Sequence, residues 1–394
     1  MSTYIFTLLL LFTSCVGADR PGESDDGAYL TLTISLTRHG ERASTSDSYI
    51  TPSAEDQFFR GHGELTTEGR AHAVTMGAAY RAAYVDGTPF IDGRLVPNEI
   101  YFRSSNVPRV MMTSAAFSAG LFQDNNQPIE APVLVVPYQS DDLLAINFDC
   151  TLGWSDMATK YGLTNTSDMP SKILSKMREQ EWKCEDPEAA YSDTLLSENK
   201  NSVTSPELTD DQQDCANGDG LTFMYDYIES LSGSGTNNTD ARDRMRRTVG
   251  NLASFILNRI DNTIKCYKYH GDESTCDPFQ EKGIYLFAHD VNMLGLMNIL
   301  SFQEGARDFF QNRTPDFACS LVIEVWVLLD QYFVKAYAKN GVDKDFEVFD
   351  FCKFYPNTTE YPRVGGYCSV DALKTAVNFY LNGGEPVCMP IPPE

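Results

Sequence analysis

The segment from Tyr29 to Thr37 alternates between aliphatic and hydroxyl side chains and runs directly into the basic cluster Arg38-His39-Gly40-Glu41-Arg42. Its aliphatic positions are Leu30, Leu32, Ile34 and Leu36. A period of two predicts a β-strand, and the glycine in the cluster allows the chain to turn sharply where that strand ends. In open parallel α/β sheets, ligands bind at the carboxyl ends of strands. The sequence therefore predicts an α/β fold with a candidate anion site directly after its first strand.

Two further predicted strand ends carry charged residues. Arg103 follows the short apolar segment 98–102, and His289 and Asp290 follow the apolar segment 284–288. Loops and helix N-termini gather where parallel strands end, at one edge of the sheet. We therefore expect these residues to lie beside the first basic cluster.

Helices and further strands separate the three clusters. Thr66 is suited to cap a helix that runs to about residue 84, with Glu68 in its first turn. The remaining elements expected from periodicity are a helix at 107–122, a strand at 131–136, a helix at 292–300 and a hairpin of 321–329 with 332–338 around Asp330-Gln331.

The stretch 141–283 differs in character from the rest of the chain. It is rich in charged and polar residues, and helical patterns recur in it, including a long one at 242–262. We interpret it as a mostly helical insertion (cap) domain. Residues 18–140 and 284–394 then form the α/β domain into which it is inserted.

Composition restricts the class of partner. The chain has 394 residues, of which 42% are hydrophobic and 12% aromatic, as expected for a folded globular protein. Its formal net charge of −24 argues against nucleic acid or an anionic membrane surface as partner. A small group of arginines in such a chain is a local exception, which favours a site for an anionic ligand.

The N-terminus carries a short apolar run at residues 4–16, which is too short to span a bilayer. We interpret residues 1–17 as a cleaved signal peptide, with a lipoprotein anchored at Cys15 as the alternative. Four glycosylation sequons begin at Asn165, Asn237, Asn312 and Asn357. These features predict a secreted protein or one of the lysosomal or vesicular lumen, and we expect no membrane span.

The residue types at the three strand ends suit phosphoryl transfer. Arginine offers forked donors that bind phosphate, and the candidates are Arg38, Arg42 and Arg103. His39 can attack phosphorus, His289 can donate to phosphoryl oxygens, and Asp290 can protonate the leaving oxygen and later deprotonate water. Because the arginines supply positive charge, no metal or other cofactor is expected. His62 and His72 lack charged partners at fixed spacing, and we expect them to be structural or exposed.

Four motifs together resemble the histidine acid phosphatases, branch 2 of the histidine phosphatase superfamily. The family's Arg-His-Gly-x-Arg-x-Pro motif is found at 38–44, with Ser44 in place of proline. Its Gly-x-Leu-Thr-x-x-Gly pattern is found at 63–69, and its Arg-Ser-Thr/Ser pattern at 103–105, with Arg109 six residues after the first arginine. Its His-Asp signature is found at 289–290. The match covers most of the mature chain.

The resemblance implies a phosphoglycerate-mutase-like sandwich, with a central mostly parallel sheet flanked by helices and a mostly helical inserted domain. It implies that His39 forms a phosphohistidine and that Asp290 is the proton donor. The implied phosphate-binding residues are Arg38, Arg42, Arg103 and His289. Arg109 would be structural, and Gly40 would fix the turn, with a backbone carbonyl orienting the imidazole of His39. Proline at position 44 would stiffen the loop without touching phosphate, so we expect activity to survive Ser44.

Nine of the ten cysteines remain once Cys15 leaves with the signal peptide (10 − 1 = 9). In a secreted protein they indicate disulfides, but the connectivity is not fixed by sequence. The pairings that the resemblance suggests are Cys150–Cys388, Cys352–Cys368 and Cys215–Cys319. Cys266 and Cys276 are near enough in sequence to close a local loop, which leaves Cys184 over.

Several alternatives remain at this point. Relatives of phosphoglycerate mutase also begin with Arg-His-Gly-Glu, but Arg42, the signal peptide, the insertion and the His289-Asp290 pair favour the second branch. A phytase ranks second to an acid phosphatase. Binding of inositol polyphosphates favours a broadly basic cleft, whereas this chain has a formal net charge of −24. A secreted binding protein without turnover ranks lower, since His39 and Asp290 are both present. The expected partners are small phosphate monoesters, no nucleic acid is expected, and a homodimer is left open.

Overall fold

The computed structural model describes residues 27–45, 53–145, 197–198, 200–201, 239–268, 281–301, 305–311, 314–354, 363–364 and 367–381. The predicted signal peptide, the asparagines of the four sequons and most of the predicted insertion lie outside these ranges.

The described part of the chain contains both strands and helices. The strands are β1 (Tyr29–Arg38), β2 (Ile100–Ser104), β3 (Gln123–Asp124), β4 (Gln127–Pro128), β5 (Leu134–Val135), β6 (Gly283–Ala288), β7 (Ser320–Leu328), β8 (Gln331–Lys339), β9 (Glu347–Val348), β10 (Arg363–Val364) and β11 (Tyr367–Ser369). The α-helices are α1 (Ser53–Gln57), α2 (Thr67–Arg81), α3 (Pro108–Leu121), α4 (Thr239–Lys268), α5 (Asp290–Leu300), α6 (Gly305–Phe310) and α7 (Val370–Leu381). A π-helical turn, Ala82–Gly87, extends α2, and short 3-10 turns span Pro97–Glu99, Tyr138–Ser140 and Phe351–Phe354.

Among the described residues, nine strands form one mixed sheet in the order β10-β11-β8-β7-β1-β6-β2-β5, with β9 paired to β8. The neighbours β1, β6, β2 and β5 are parallel, and the remaining pairs are antiparallel. Six of the nine strands consequently point in the same direction. The predicted α/β class with a mostly parallel central sheet and flanking helices is confirmed. Because β1, β6 and β2 are adjacent and parallel, their carboxyl ends lie side by side.

Helices cover both faces of this sheet. The aliphatic face of β1 belongs to a large core that includes the apolar sides of α4, α5 and α7. The opposite face carries hydroxyl groups that are also buried: Thr37 and Tyr80 of α2 both hydrogen-bond the Ser320 hydroxyl, each at 2.7 Å. Beside them lies an aromatic core of Phe102, Phe117, Tyr285 and Phe287. The alternation in β1 therefore separates two buried faces, one aliphatic and one lined by hydroxyl and aromatic groups.

Most predicted elements are found within a few residues of their expected bounds. Thr66 caps α2 as predicted, because its side chain accepts a hydrogen bond from the Gly69 amide at 3.0 Å. The predicted hairpin is β7–β8, and its turn lies at Leu329-Asp330, one residue earlier than expected. Both turn residues have positive φ (50° and 60°), as a type I′ turn requires.

Helix α4 includes the long helical pattern that sequence analysis assigned to the insertion 141–283. Its buried residues Val249, Leu252, Ile256 and Ile260 belong to the same core as β1 and α5. By packing, α4 is part of the sandwich. The division of the chain into domains stays a prediction, since most of 141–283 lies outside the described residues.

One of the suggested disulfides is present and one is wrong. Cys352 and Cys368 are bonded, with their Cα atoms 5.5 Å apart. Cys319 is a fully buried free thiol, so its suggested bridge to Cys215 does not form. It precedes β7 inside the core, where its carbonyl oxygen accepts the amide of Arg38 at 2.8 Å. Cys150, Cys276 and Cys388 lie outside the described residues. The pairings Cys150–Cys388 and Cys266–Cys276 therefore stay predictions.

Helices α2 and α3 approach each other closely at two glycines. A Cβ added to Gly77 would lie 2.0 Å from the carbonyl oxygen of Phe117, and one added to Gly120 would lie 2.1 Å from that of Val74. Both contacts are with backbone, so a side chain at either position forces the helices apart.

We predict that Gly77→Ala lowers the free energy of unfolding by about 1–3 kcal/mol, because the added methyl group overpacks the α2–α3 contact. Urea unfolding followed by circular dichroism measures this change. The control is Ala78→Ser, which adds one heavy atom at an exposed position of the same helix and should change stability by less than about 0.5 kcal/mol. Equal effects of the two substitutions would contradict the close packing.

Candidate active site

His39 is held directly after β1 by backbone contacts on two sides. Its amide donates to the carbonyl oxygen of Ala288 at the end of β6 (3.1 Å), and its carbonyl oxygen accepts the amide of Ala318 (2.9 Å). The imidazole is buried, and its Nδ1 lies 2.9 Å from the carbonyl oxygen of Gly40. That contact fixes Nδ1–H as the donor and leaves Nε2 as the basic nitrogen. The expected orientation of the ring by a backbone carbonyl is confirmed.

Gly40 is needed for close backbone approach rather than for a left-handed turn. A Cβ at Gly40 would lie 2.5 Å from the carbonyl oxygen of Gly69, and a Cβ at Gly69 would lie 2.1 Å from that of Glu41. Gly40 does not have a positive φ, so the close approach is a requirement for glycine in addition to the turn expected from sequence. Its amide donates to Thr113 Oγ1 of α3 at 3.0 Å. The start of α2 therefore packs directly on the loop that carries His39.

Arg38 and Asp290 form an ion pair at the ends of β1 and β6. Arg38 Nη2 lies 2.6 Å from Asp290 Oδ2, and Arg38 Nη1 donates to the carbonyl oxygen of Pro315. Asp290 begins α5, and its Oδ1 accepts the amide of Val291 at 2.9 Å. Two residues predicted to act on the same phosphate are therefore in direct contact.

His289 completes a pair of imidazoles. Its ring centroid lies 5.6 Å from that of His39, with the planes at 73°. Its Nε2 is 3.2 Å from the Ser105 hydroxyl, which follows β2, and its amide donates to Asn292 Oδ1 at 3.2 Å. The loops after β1, β2 and β6 therefore meet at one point, as the three strand ends predicted.

Arg103 lies on the neighbouring strand and contacts a residue that sequence analysis did not single out. Its Nη2 is 2.5 Å from Oδ1 of Asp141, a fully buried carboxylate. The same oxygen accepts the amides of Leu143 and Leu144 (3.2 and 3.0 Å). Asp141 fixes one edge of the guanidinium group. Its only sequence signal is an acidic residue shortly after a predicted strand.

Phe317 is a second component that sequence reasoning missed. Its ring lies 4.3 Å from Arg38 Cζ and 5.8 Å from Arg42 Cζ, and its centroid is 5.6 Å from that of His39. An aromatic face close to guanidinium groups stabilises them by cation–π attraction. No motif marks this phenylalanine, which lies in the loop before β7.

Arg109 contributes charge to the site as well as structure. Its Nη1 lies 3.4 Å from the carbonyl oxygen of Gly63, in line with the structural role expected for it. Burial, and then the nearby charge of Arg42, lower its pKa to about 10. In the described part of the chain, the Nε atoms of Arg38, Arg103 and Arg109 are buried without a hydrogen-bond acceptor. Such donors favour an anionic ligand.

The same environment sets the ionisation of the two histidines and of Asp290. Burial, reinforced by the positive charge of Arg38, lowers the pKa of His39 well below its usual value. Burial and the charge of Arg109 lower the pKa of His289 to about 3. Burial alone would raise the pKa of Asp290, but nearby positive charge, chiefly that of Arg38, lowers it. These shifts favour the neutral form of both imidazoles and the ionised form of Asp290 in acid.

The family model for the histidine phosphatase superfamily (branch 2) matches residues 30–339 of this chain. The chain belongs to that family. Putative acid phosphatase 1 of Caenorhabditis briggsae is 25% identical over 325 residues, which are 80% of this chain and 72% of the relative. Human prostatic acid phosphatase is 24% identical over 358 residues, which are 85% of this chain and 83% of the relative.

The fold has counterparts among solved structures. The apo form of Hafnia alvei phytase has a TM-score of 0.55 and 15% sequence identity, and the match covers 91% of this chain and 98% of the phytase. Within the ranges that the structure describes, no helix combines the length and apolarity of a membrane span, and no group of three metal-ligating side chains is found. The matched histidine phosphatase region contains every predicted site residue, from Arg38 to Asp290.

His72 has a charged partner, contrary to what its sequence neighbours indicated. Its Nδ1 lies 2.8 Å from Oε1 of Glu41, a buried carboxylate in the loop between His39 and Arg42. The two residues are 31 positions apart (72 − 41), so local spacing gave no signal. The close contact with Glu41 outweighs partial burial and raises the pKa of His72.

We predict that His72 stabilises the fold in a pH-dependent way. Its pKa is raised on folding, so its contribution is complete below about pH 6.5 and is lost as the pH rises through the folded-state value. The difference in free energy of unfolding between wild type and His72→Gln should therefore be largest near pH 5.5 and shrink towards pH 9. In a Glu41→Gln background this pH dependence should disappear. A difference that grows with pH would contradict the ion pair.

Proposed function

We propose that this phosphatase hydrolyses phosphate monoesters through a covalent phosphohistidine at His39. The observation that carries the proposal is the orientation of a buried, neutral imidazole by the Gly40 carbonyl, beside Arg38, His289 and Asp290. A neutral imidazole nitrogen is a competent nucleophile, and its fixed ring avoids the cost of orientation in the transition state.

In the first step, Nε2 of His39 attacks phosphorus. The N–P bond forms as the bond between phosphorus and the ester oxygen breaks, and protonated Asp290 gives its proton to the leaving oxygen. The alcohol departs, and the phosphoryl group remains on His39. Asp290 lies at the first position of α5 beside the Arg38 guanidinium group, so it would be next to a phosphate ester bound by Arg38.

In the second step, water attacks the phosphohistidine. The carboxylate of Asp290 takes a proton from the water as the new P–O bond forms and the N–P bond breaks. Inorganic phosphate leaves, and both His39 and Asp290 return to their starting states. The guanidinium groups of Arg38, Arg42 and Arg103, together with His289, would hold the phosphoryl oxygens and balance the charge that develops in both steps.

The ionisation states favour work at acid pH. The lowered pKa of His39 favours the neutral, nucleophilic form of its imidazole in acid. A bound phosphoryl group competes with Asp290 for Arg38, which weakens the interaction that lowers the pKa of this carboxyl group. A phosphate monoester also carries a proton below about pH 6. Protonated Asp290 is therefore favoured by acid and lost as the pH rises.

The direct test is release of p-nitrophenol from p-nitrophenyl phosphate by pure protein. We expect metal-independent turnover that is faster at pH 5 than at pH 8, and His39→Ala should lower it by at least about 10³-fold with the circular dichroism spectrum unchanged. No release at either pH would support the lower-ranked alternative, a phosphate-binding protein without turnover.

We further predict that Asp290→Asn discriminates between leaving groups. An amide side chain does not protonate the leaving oxygen, so an alkyl phosphate should lose about 10²-fold or more in kcat, within the usual range for general acid catalysis. An aryl phosphate with a good leaving group should lose far less. Equal losses on p-nitrophenyl phosphate and on an alkyl phosphate would exclude Asp290 as the proton donor.

The substrate class separates the proposal from the phytase alternative. The likeness to phytase structures concerns the fold alone, and the chain carries 31 Lys and Arg against 55 Asp and Glu. We propose small monoesters with one phosphate as the preferred substrates. A higher kcat/KM for phytate than for aryl phosphates would instead favour the phytase.

We propose a secreted or lysosomal location. The Cys352–Cys368 disulfide is typical of an oxidising compartment. The predicted signal peptide and sequons point the same way. A homodimer stays a prediction.

A further inference from the structure

A short segment from the middle of the chain packs against the loop that carries His39 and Arg42. Its described residues are Ser197, Glu198, Lys200 and Asn201. Asn201 is buried, and its backbone amide donates to the carbonyl oxygen of Ser197 at 3.2 Å, which closes a helical turn. The segment falls within the stretch 141–283 that sequence analysis interpreted as an insertion. It carries no motif.

The side chain of Asn201 joins this turn to two parts of the site. Its Nδ2 donates to the carbonyl oxygen of Arg42 at 3.2 Å and to that of Ser197 at 2.6 Å. Its Oδ1 accepts the hydroxyl of Thr66. Both ends of the buried amide are therefore used.

Thr66 links the same contacts to helix α2. Its amide and its hydroxyl both lie within hydrogen-bonding distance of the Glu41 carbonyl oxygen (3.0 and 3.1 Å), and its Oγ1 accepts the Gly69 amide in the first turn of α2. Asn201 thus ties the backbone on the C-terminal side of His39 to a helix cap. The contacts bridge 159 residues between Asn201 and Arg42.

We propose that Asn201 is a positioning residue for Arg42. Position 42 pairs with Leu65 through an isolated β-bridge, so no continuous strand fixes its backbone. The Asn201 amide holds the Arg42 carbonyl and thereby sets the direction from which the guanidinium group reaches the phosphate. This inference rests on the proposed function, because it assigns Arg42 to phosphate binding. It also implies that a residue of the stretch 141–283 helps to shape the site that binds phosphate.

A neighbouring contact places the same turn against the other side of the site. Lys200 Nζ lies 2.6 Å from Asp316 Oδ1, in the loop whose Pro315 carbonyl accepts a hydrogen bond from Arg38. Both partners of this ion pair are more than a third exposed, so it contributes little. Lys200→Ala is therefore a matched control, since it alters the adjacent residue without touching Arg42.

The main experiment measures the Kd of inorganic phosphate by titration calorimetry, which requires no turnover. Asn201→Ala should raise the Kd by about 3- to 10-fold, the effect of one lost buried hydrogen bond on a binding residue. The KM for p-nitrophenyl phosphate should rise by a similar factor, with a smaller change in kcat. Lys200→Ala should leave the Kd within about twofold of wild type.

Two further measurements separate positioning from general destabilisation. In an Arg42→Ala background, Asn201→Ala should change the Kd by less than about twofold, because the guanidinium group that Asn201 positions has already been removed. Tyr84→Phe removes a different buried hydrogen bond, to Glu324 at 2.8 Å in the middle of β7. It should lower the stability of the fold while leaving the phosphate Kd unchanged.

Asn201→Asp provides a test in which one variant is followed at different pH values. An ionised carboxylate does not donate to the Arg42 carbonyl, whereas a protonated carboxyl group does. Relative to wild type at the same pH, the Kd of Asn201→Asp should recover as the pH falls from 7 to 4, and that of Asn201→Ala should not. If Asn201→Ala proves unfolded, this pH series on the aspartate variant still decides the question.

The proposal is overturned if Asn201→Ala leaves the Kd unchanged, if its effect persists in full without Arg42, or if Asn201→Asp shows no recovery in acid. Failure of the proposed function gives a different result. In that case the wild type binds phosphate with the predicted dependence on Asn201 but releases no p-nitrophenol.

Discussion

The site depends on burying an imidazole among guanidinium groups. Burial and the charge of Arg38 keep His39 neutral far below the pH at which a free histidine takes up a proton. The Gly40 carbonyl then decides which nitrogen is basic. A phosphatase that works in acid needs both conditions, because a protonated or rotated imidazole does not attack phosphorus. Because β1 and β6 are parallel neighbours, the loop after β1 lies against the end of β6, where His39 is buried and its ring is oriented.

In the proposed mechanism, the ion pair between Arg38 and Asp290 couples substrate binding to proton transfer. In the unliganded site the carboxylate lies against the guanidinium group and stays ionised. A phosphoryl group that takes over part of this guanidinium group makes protonation of the carboxyl group easier. Under the proposed mechanism, binding of the phosphoryl group therefore favours the protonated form of the residue that is proposed to donate the proton. Phe317, which lies along the guanidinium groups, helps to keep Arg38 in place without adding charge.

The sequence predicted the parts of the site that lie on strand ends. The alternation in β1, the apolar strands before Arg103 and His289, and their parallel order were enough to place three loops at one edge of the sheet. Residues that act through long-range contacts left no comparable signal. Asp141, Asn201 and Phe317 each reach an arginine from a distant part of the chain.

Other differences have equally local causes. The prediction for Gly40 concerned only the turn after β1, whereas the structure shows that this glycine also makes room for the backbone of Gly69. His72 was judged by its sequence neighbours, but its partner Glu41 lies on a different element. The suggested bridge of Cys319 followed family resemblance, and burial beside β7 leaves that residue as a thiol. In each case tertiary packing decided what local sequence left open.

The most direct test of the account is a crystal structure with orthovanadate, which mimics the transition state of phosphoryl transfer. We expect vanadium within bonding distance of His39 Nε2, with its oxygens contacting Arg38, Arg42, Arg103 and His289 and with Asp290 next to the apical oxygen opposite the imidazole. Vanadate bound elsewhere, or bound between the arginines with His39 turned away, would contradict it.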